Sequence, residues 1–260
     1  MSRTDKVEPL TATTPRPVHR TVFTQAWRDV TLVHWTLDPA VVAPLLPEGI
    51  RPDTIGGATQ VGLVAFHMEG VGIGPSPAVP YFGTFAETNV RLYTVDALGR
   101  RGVFFLSLDA SRLAPALVAR ALGVPYSWSR MRIGGAAADR AYGCRRRWPG
   151  PRGATSRLQV CIGDRIGRPS ELERFLTARW GLHLSGRSGT AYWPNEHDEW
   201  PLHRAELTGL DDGLVAATGL TGLRGSPSSV LWSPGVRVRF GPKQAVRAEP
   251  IASPPFPPLP

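Results

Sequence analysis

FAETNVRLYTVDALGRRGVFFLSLD, Phe85 to Asp109, reads as two strands joined by a tight turn. Both flanking runs are β-branched and aromatic and of strand length, and Gly99 supplies the turn residue of a hairpin. Side chains of an extended strand alternate between two faces. In the first strand Glu87, Asn89, Arg91 and Tyr93 share one face, and Ala86, Thr88, Val90 and Leu92 share the other. In the second, Val103, Phe105, Ser107 and Asp109 lie opposite Phe104, Leu106 and Leu108. The function turns on whether the Glu–Asn–Arg face is a wet outer surface or the lining of a pocket.

The same grammar continues on both sides. TLVHWTL (31–37) and VGLVAFHME (61–69) precede the hairpin. SWSRMRI (127–133), AYGCRRRW (141–148), SRLQVCIG (156–163), TAYWPN (190–195), LHRAEL (202–207) and VRVRF (236–240) follow it. Their spacing predicts a mainly β protein built on one meandering antiparallel sheet or barrel. Three short helices interrupt it. DPAVVAPLL (38–46) has Asp38 to cap and Pro39 at the first helical position. SRLAPALVARALG (111–123) has Ser111 as cap, Pro115 in the first turn and Gly123 as stop. SELERFLTARW (170–180) has Ser170 as cap, followed by two early carboxylates.

The chain has 260 residues, 42% of them hydrophobic, enough for a sizeable core. Residues 1–21 are rich in Thr, Pro and charge and read as a disordered tail. Residues 247–260 read as a proline-rich tail in polyproline II. Residues 22–246 are expected to form a single domain. No apolar run is long enough for a membrane helix, and the first 20 residues hold no secretory apolar core. A cytoplasmic protein with no membrane partner is the expectation.

The formal net charge is +9. Of 30 Lys plus Arg residues only Lys6 and Lys243 are lysine, leaving 28 arginines. A GC-rich codon bias accounts for this. The rival reading, nucleic-acid binding, finds one tight run, Arg145–Arg147, and no finger or aromatic–basic signature, so no nucleic-acid partner is expected. Cys144 and Cys161 make no disulfide framework. No phosphate-cradling loop or nucleophile elbow is present, and EGVGIGPSP runs into prolines rather than a helix. No cofactor is implied. WPNEHDEWPLHRAEL gathers His197, Asp198, Glu199 and His203, but at no standard ligand spacing, and reads as a polar loop entering a strand. No metal is expected there.

His34 and His67 lie on separate strands, each either a satisfied core histidine or a pocket base. In VGLVAFHME, Val61, Leu63, Ala65, His67 and Glu69 share a face opposite Gly62, Val64, Phe66 and Met68. Each strand so far has one apolar face. The second faces mix His, Glu, Arg, Tyr and Phe, a composition typical of a polar cavity, and alternation alone leaves both readings open.

Taken in order, QAWRDVTLVHWTLDPAVVAPLLPEGI, VGLVAFHMEGV, FAETNVRLYTVDALGRRGVFFLSLDASRL, LGVPYSWSRM, ELERFLTARWGL, EWPLHRAEL and SPGVRVRF resemble the YqjF-like family of uncharacterised bacterial proteins. That family is a domain of unknown function in the acetoacetate decarboxylase-like superfamily. The resemblance implies a closed, cone-like antiparallel barrel with small peripheral helices and a ligand cavity inside. It favours the pocket reading. The decarboxylase has an acidic residue on a strand before the hairpin, an aromatic strand ending in Asp, a helix, and a Gly-x-Pro-Lys-Lys segment. Glu87, Asp109 and Gly123-Val124-Pro125 match in order, but Tyr126-Ser127-Trp128 stands where the Schiff-base lysine would be. Arginine cannot replace that amine because it stays protonated.

The implied protein is a small-molecule pocket protein, pictured as a lysine-independent acid/base enzyme of lyase, hydratase or isomerase type on a carbonyl- or carboxylate-containing substrate. The alternative is a non-catalytic binding or sensing protein. Glu87 and His67 are the candidate catalytic residues. Arg91, as anion clamp, and Asn89, Tyr126, His34 and His203 are the candidate substrate-binding residues. A buried Arg91 needs a partner, and Glu87, about 13 Å along the strand by α-carbon, is the candidate. The expected partner is a small molecule, with room left for a homo-oligomer.

Overall fold

The computed structural model describes residues 7–74, 83–121, 123–186, 189–223 and 225–246. Lys6, part of EGVGIGPSP and the proline-rich tail therefore lie outside the described residues. The strands are β1 Phe23–Leu37, β2 Ile50–Pro52, β3 Thr59–Ile73, β4 Phe85–Asp96, β5 Arg101–Ala110, β6 Tyr126–Gly134, β7 Asp139–Trp148, β8 Thr155–Arg165, β9 Gly181–Gly186, β10 Gly189–His197, β11 His203–Asp212, β12 Ser229–Phe240 and β13 Gln244–Ala245. The helices are α1 Pro39–Val42, α2 Leu113–Ala121 and α3 Glu171–Thr177. Among the described residues no helix is long and apolar enough to cross a membrane.

The hairpin forms as its sequence dictates. Gly99 takes a positive φ of 76°, and its N–H donates to the Asp96 carbonyl at 2.9 Å. The Asp96 carboxylate accepts from the N–H groups of Leu98 and Arg100, both at 3.0 Å, which fixes the turn. Asp38 caps α1 through the Ala40 N–H, and Ser170 with Glu173 closes a capping box on α3. Ser111 is used differently from the expected cap: its hydroxyl accepts from the Ala86 N–H of β4.

All strands belong to one sheet, ordered β13-β10-β9-β5-β6-β7-β8-β11-β12-β1-β3-β4-β2, with β4 also pairing β5 and β10 also pairing β12. The β4–β5 pairing closes β5, β6, β7, β8, β11, β12, β1, β3 and β4 into a ring. The β10–β12 pairing closes a second ring through β9. Strands β12, β1, β3, β4 and β5 form a wall common to both. The sheet is not wholly antiparallel as expected, because β5 pairs in parallel with β6 and with β9. Short β9 escaped the strand pattern. Its Gly181 is required by contact, since a Cβ there would lie 2.2 Å from the Tyr192 ring.

Each ring has its own core. Val33, Leu63, Val90, Leu92, Tyr142, Leu158 and Val160 fill the first. Leu32, Phe66, Phe85, Tyr93, Leu108, Trp193, Val238 and Phe240 fill the second, with Phe175 and Leu176 of α3 packed among them. Val90 and Leu92 thus face one core while Tyr93 faces the other.

Residues 7–21, read from sequence as a tail, have no regular structure yet lie against this body. The Glu8 N–H donates to Gly99, and its carboxylate accepts from Arg16 and from the Arg101 N–H. Val18 is buried, and its N–H donates to Glu196. Composition misleads here because Glu8 and Arg16 of the segment have partners in the fold.

The Asp109 carboxylate is fully buried and holds Arg146 through two bonds, 2.8 and 2.6 Å, while accepting from Ser129 at 2.6 Å. Removing one side of such a pair strands the other charge. Arg146→Ala is therefore expected to cost about 3–5 kcal/mol in urea melts. Arg157→Ala, which breaks a largely exposed pair with Asp211 at 3.6 Å, should stay within about 1 kcal/mol. Equal losses in the two variants would contradict this ranking.

Candidate functional site

Strands β1 and β4, on either side of β3, aim polar side chains into the second core. Gly62 of β3 stands in register with His34 of β1 on one side and Arg91 of β4 on the other. A Cβ at position 62 would meet the His34 ring at 3.0 Å and Arg91 Cγ at 3.3 Å. The glycine lets both side chains lean over β3. They converge on Tyr93: His34 Nε2 and Tyr93 Oη share a hydrogen bond of 2.6 Å, and Arg91 Nε–H donates to Tyr93 Oη at 3.2 Å. Arg91 Nη2–H and the Tyr93 hydroxyl both donate to the Leu176 carbonyl at the end of α3.

Further along β4 lies a second cluster. Glu87 is 2% exposed. It accepts from the Tyr126 hydroxyl at 2.6 Å and from Asn89 Nδ2–H at 3.2 Å. The parallel pairing of β6 with β5 places Tyr126 there, in register with Leu108. Burial raises the Glu87 carboxyl to about pKa 7, against the bonds from Tyr126 and Asn89, with the Asp109 charge adding to the rise. Burial and the Glu87 charge likewise hold the Tyr126 phenol well above its ordinary range.

The expected Glu87–Arg91 pair is not formed. Each has its own partners, and Arg91, 8% exposed, makes no ion pair among the described residues. Its charge is met only by neutral oxygens. Of the other candidates, Asn89, Tyr126 and His34 join these two clusters. His34 is held well below its ordinary pKa by burial, then by the charges of Arg91 and Arg179, so it is a neutral core imidazole.

His67 and His203 lie elsewhere. His67 is half-exposed, 3.7 Å from Glu69. His203 packs edge-on against Trp232 with Nδ1 3.1 Å from the Gly163 carbonyl. The stretch expected as a polar loop does not converge either: His197 ends β10 and is buried, while His203 opens β11 and is not.

Sequence reasoning missed the charges that flank the site. Arg179 donates to Asp53, which also holds Arg101, and its guanidinium lies 4.2 Å over Phe175 and 4.8 Å over Tyr93. These partners are distant in sequence, and no local motif announces them.

Residues 24–237 match DUF2071, a family described as an uncharacterized conserved protein. The chain belongs to the DUF2071 family. It is 27% identical over 203 residues to the uncharacterized protein YqjF of Bacillus subtilis, covering 77% of this chain and 83% of YqjF. Among solved structures, this DUF2071 chain is similar to the enduracididine biosynthesis enzyme MppR complexed with pyruvate, at TM-score 0.58, 14% identity and coverage of 90% and 93%. It is also similar to acetoacetate decarboxylase from Legionella pneumophila, at TM-score 0.57, 14% identity and coverage of 88% and 90%. At such identity these likenesses show a common fold, the acetoacetate decarboxylase-like one.

Glu87 binds its proton more tightly in the folded chain than in the unfolded one. The stabilisation this gives is full below pH about 4.5 and is lost as pH rises towards about 7. Glu87→Gln has no proton to lose. The stability of the wild type relative to Glu87→Gln should therefore fall by on the order of 3 kcal/mol across that window. Denaturant melts of both proteins over a pH series check this, and a pH-independent difference would refute it.

Proposed function

We propose that this chain is a small-molecule pocket protein that performs lysine-independent acid/base chemistry on a carbonyl-containing carboxylate. The observation carrying the proposal is the Glu87 carboxyl, buried, raised to about pKa 7 and bonded to Tyr126 and Asn89. A general base works best with a pKa near the working pH. Glu87 takes the proton from carbon next to the carbonyl, Tyr126 shares the resulting proton network, and Asn89 orients the carboxylate. Arg91, a buried cation met only by neutral oxygens, draws the substrate's carboxylate. A similar fold, MppR, is complexed with pyruvate, and 2-oxo acids combine the two required groups.

Schiff-base chemistry is set aside on the lysine census. Lys243 is the lone lysine among the described residues, and its Nζ lies 4.5 Å over the Trp193 ring. Borohydride treatment in the presence of pyruvate should leave the intact mass unchanged. An adduct on Lys243 would reverse that conclusion.

The direct test is deuterium wash-in at C3 of pyruvate and longer 2-oxo acids in D2O, followed by NMR. Exchange should rise as pH passes about 7 and Glu87 ionises. Glu87→Gln should slow it by about 100-fold with little change in KM, whereas Arg91→Ala should act mainly on KM. A second reading, non-catalytic binding, is favoured by one fact: both Glu87 oxygens already accept bonds from within the protein. A ligand retained unchanged through purification, with no exchange on any 2-oxo acid, would establish that reading instead.

A further inference from the structure

The outer face of the first ring carries charge of one sign. Residues 110–163 run from the end of β5 into β8 and hold ten arginines and a single acidic residue, Asp139. The chain has 30 Lys plus Arg and 21 Asp plus Glu, so the remainder is balanced at 20 of each, and this segment carries the whole formal net charge of +9. Codon bias raises arginine throughout a chain. It does not strip one segment of carboxylates.

The strand register turns these arginines to the outside. Ser129 of β6 stands opposite Arg146 of β7, and both side chains turn inward onto Asp109. The next pair, Arg130 and Arg145, therefore turns outward, the two directly opposed and both exposed. Like charges placed opposite one another across a strand pair are destabilising. Arg132, two residues on, is exposed and faces only Gly143. Arg147 sits in the bulge beside Trp128, with its guanidinium 5.0 Å over that ring. None of these four arginines has an ion pair among the described residues. The neighbouring carboxylates are engaged or distant. Asp29 takes Arg140 and Asp211 takes Arg157, while Asp139 and Glu206 stand together at the far end of the face, each in register with Cys161.

The cationic face continues into apolar groups. Helix α2 is the crossover between the parallel strands β5 and β6 and packs on both. Leu113, Leu117 and Arg120 follow at helical spacing along one side of it. The Arg120 guanidinium lies 5.3 Å over the Trp148 ring, which joins that side of the helix to the sheet. Leu113, Leu117 and Trp148 are 41%, 46% and 38% exposed. Exposed apolar side chains rimmed by arginine suit the boundary between lipid headgroups and acyl chains. A nucleic acid would use the charge and leave the leucines in water, and a second copy of this face would set like charge against like.

We propose that the outer face of β6 and β7, with the exposed side of α2, docks on an anionic phospholipid bilayer. The arginines hold lipid phosphates, which their planar guanidinium groups match. Leu113, Leu117 and Trp148 enter the headgroup boundary. Such contact needs no helix that crosses the membrane.

The full-length protein is floated with vesicles of phosphatidylcholine alone and of phosphatidylcholine mixed with phosphatidylglycerol. It should rise with the mixed vesicles only, and less so as sodium chloride is added. Arg130→Gln with Arg145→Gln should weaken binding by about 25-fold, at about fivefold per arginine. Arg20→Gln with Arg51→Gln removes the same charge from exposed sites outside this face and should have little effect. Leu113→Ser with Leu117→Ser keeps the charge and should weaken binding by about tenfold or more. Urea melts check that each paired variant folds, and where one does not, its single substitutions, each with a smaller effect, carry the same reading. No binding to the mixed vesicles, equal weakening by the two arginine pairs, or binding indifferent to the leucines would overturn the proposal. Binding of a single-stranded oligonucleotide in place of vesicles, lost with Arg130 and Arg145 and untouched by the leucines, would assign the face to nucleic acid instead.

Discussion

Strand β4 has no wet face. It belongs to the wall shared by two closed rings of strands, so its side chains of one parity enter one core and those of the other parity enter the second. Every polar group it carries must then be answered by protein or ligand, since water is excluded and an unanswered buried charge is costly. Thr88, Asn89, Glu87 and Arg91 are all buried on this one strand. A sheet solvated on one face would leave them free to point outward with no constraint on their neighbours. Here the constraint propagates: Tyr126 is brought to Glu87 by a parallel strand pair, Gly62 is emptied of a side chain for His34 and Arg91, and α3 ends where its Leu176 carbonyl receives Arg91 and Tyr93.

The answers are unequal, and the inequality is informative. Asp109 is met by Arg146 and Ser129 and Asp53 by two arginines, so these are closed, structural pairs. Glu87 is met by neutral groups and carries a raised pKa, and Arg91 is met by neutral oxygens and carries no counter-ion among the described residues. A fold that can pair its buried charges, and does so elsewhere, leaves two of opposite sign unpaired on one strand face. That is the pattern expected where a ligand supplies the missing polarity.

Much of this was legible in the sequence because strand alternation is local. The parity of FAETNVRLY placed Glu87, Asn89, Arg91 and Tyr93 on one face, and the register keeps them there. Parity cannot say what lies opposite that face. His67 shows the limit: it follows Ala65 in step, but β1 bulges between Arg28 and Thr31, beside a left-handed Asp29, and the side chain ends half-exposed. A cluster of indoles was invisible for another reason. Trp27, Trp180 and Trp200, which pack around His197, come from β1, the segment between α3 and β9 and the loop after β10, and only closure of the second ring brings them together. Residues 7–21 misled because composition measures what a segment lacks in apolar area, not the partners that Glu8 and Arg16 find.

The near-total preference for arginine over lysine acquires a physical sense in this interior, whatever its origin in codon usage. Arg91, Arg100, Arg146 and Arg179 are all buried. A lysine in such places can shed its proton and become a neutral amine, which is the route to Schiff-base chemistry. An arginine cannot, so it keeps its charge in the apolar surroundings and must hold an anion or a set of oxygens about it. Three of these guanidinium groups stand against buried carboxylates, Arg100 on Asp96, Arg146 on Asp109 and Arg179 on Asp53, so their charge is answered within the fold. Arg91 is the exception among the four: its guanidinium is held by the Tyr93 hydroxyl and the Leu176 carbonyl and has no counter-ion among the described residues.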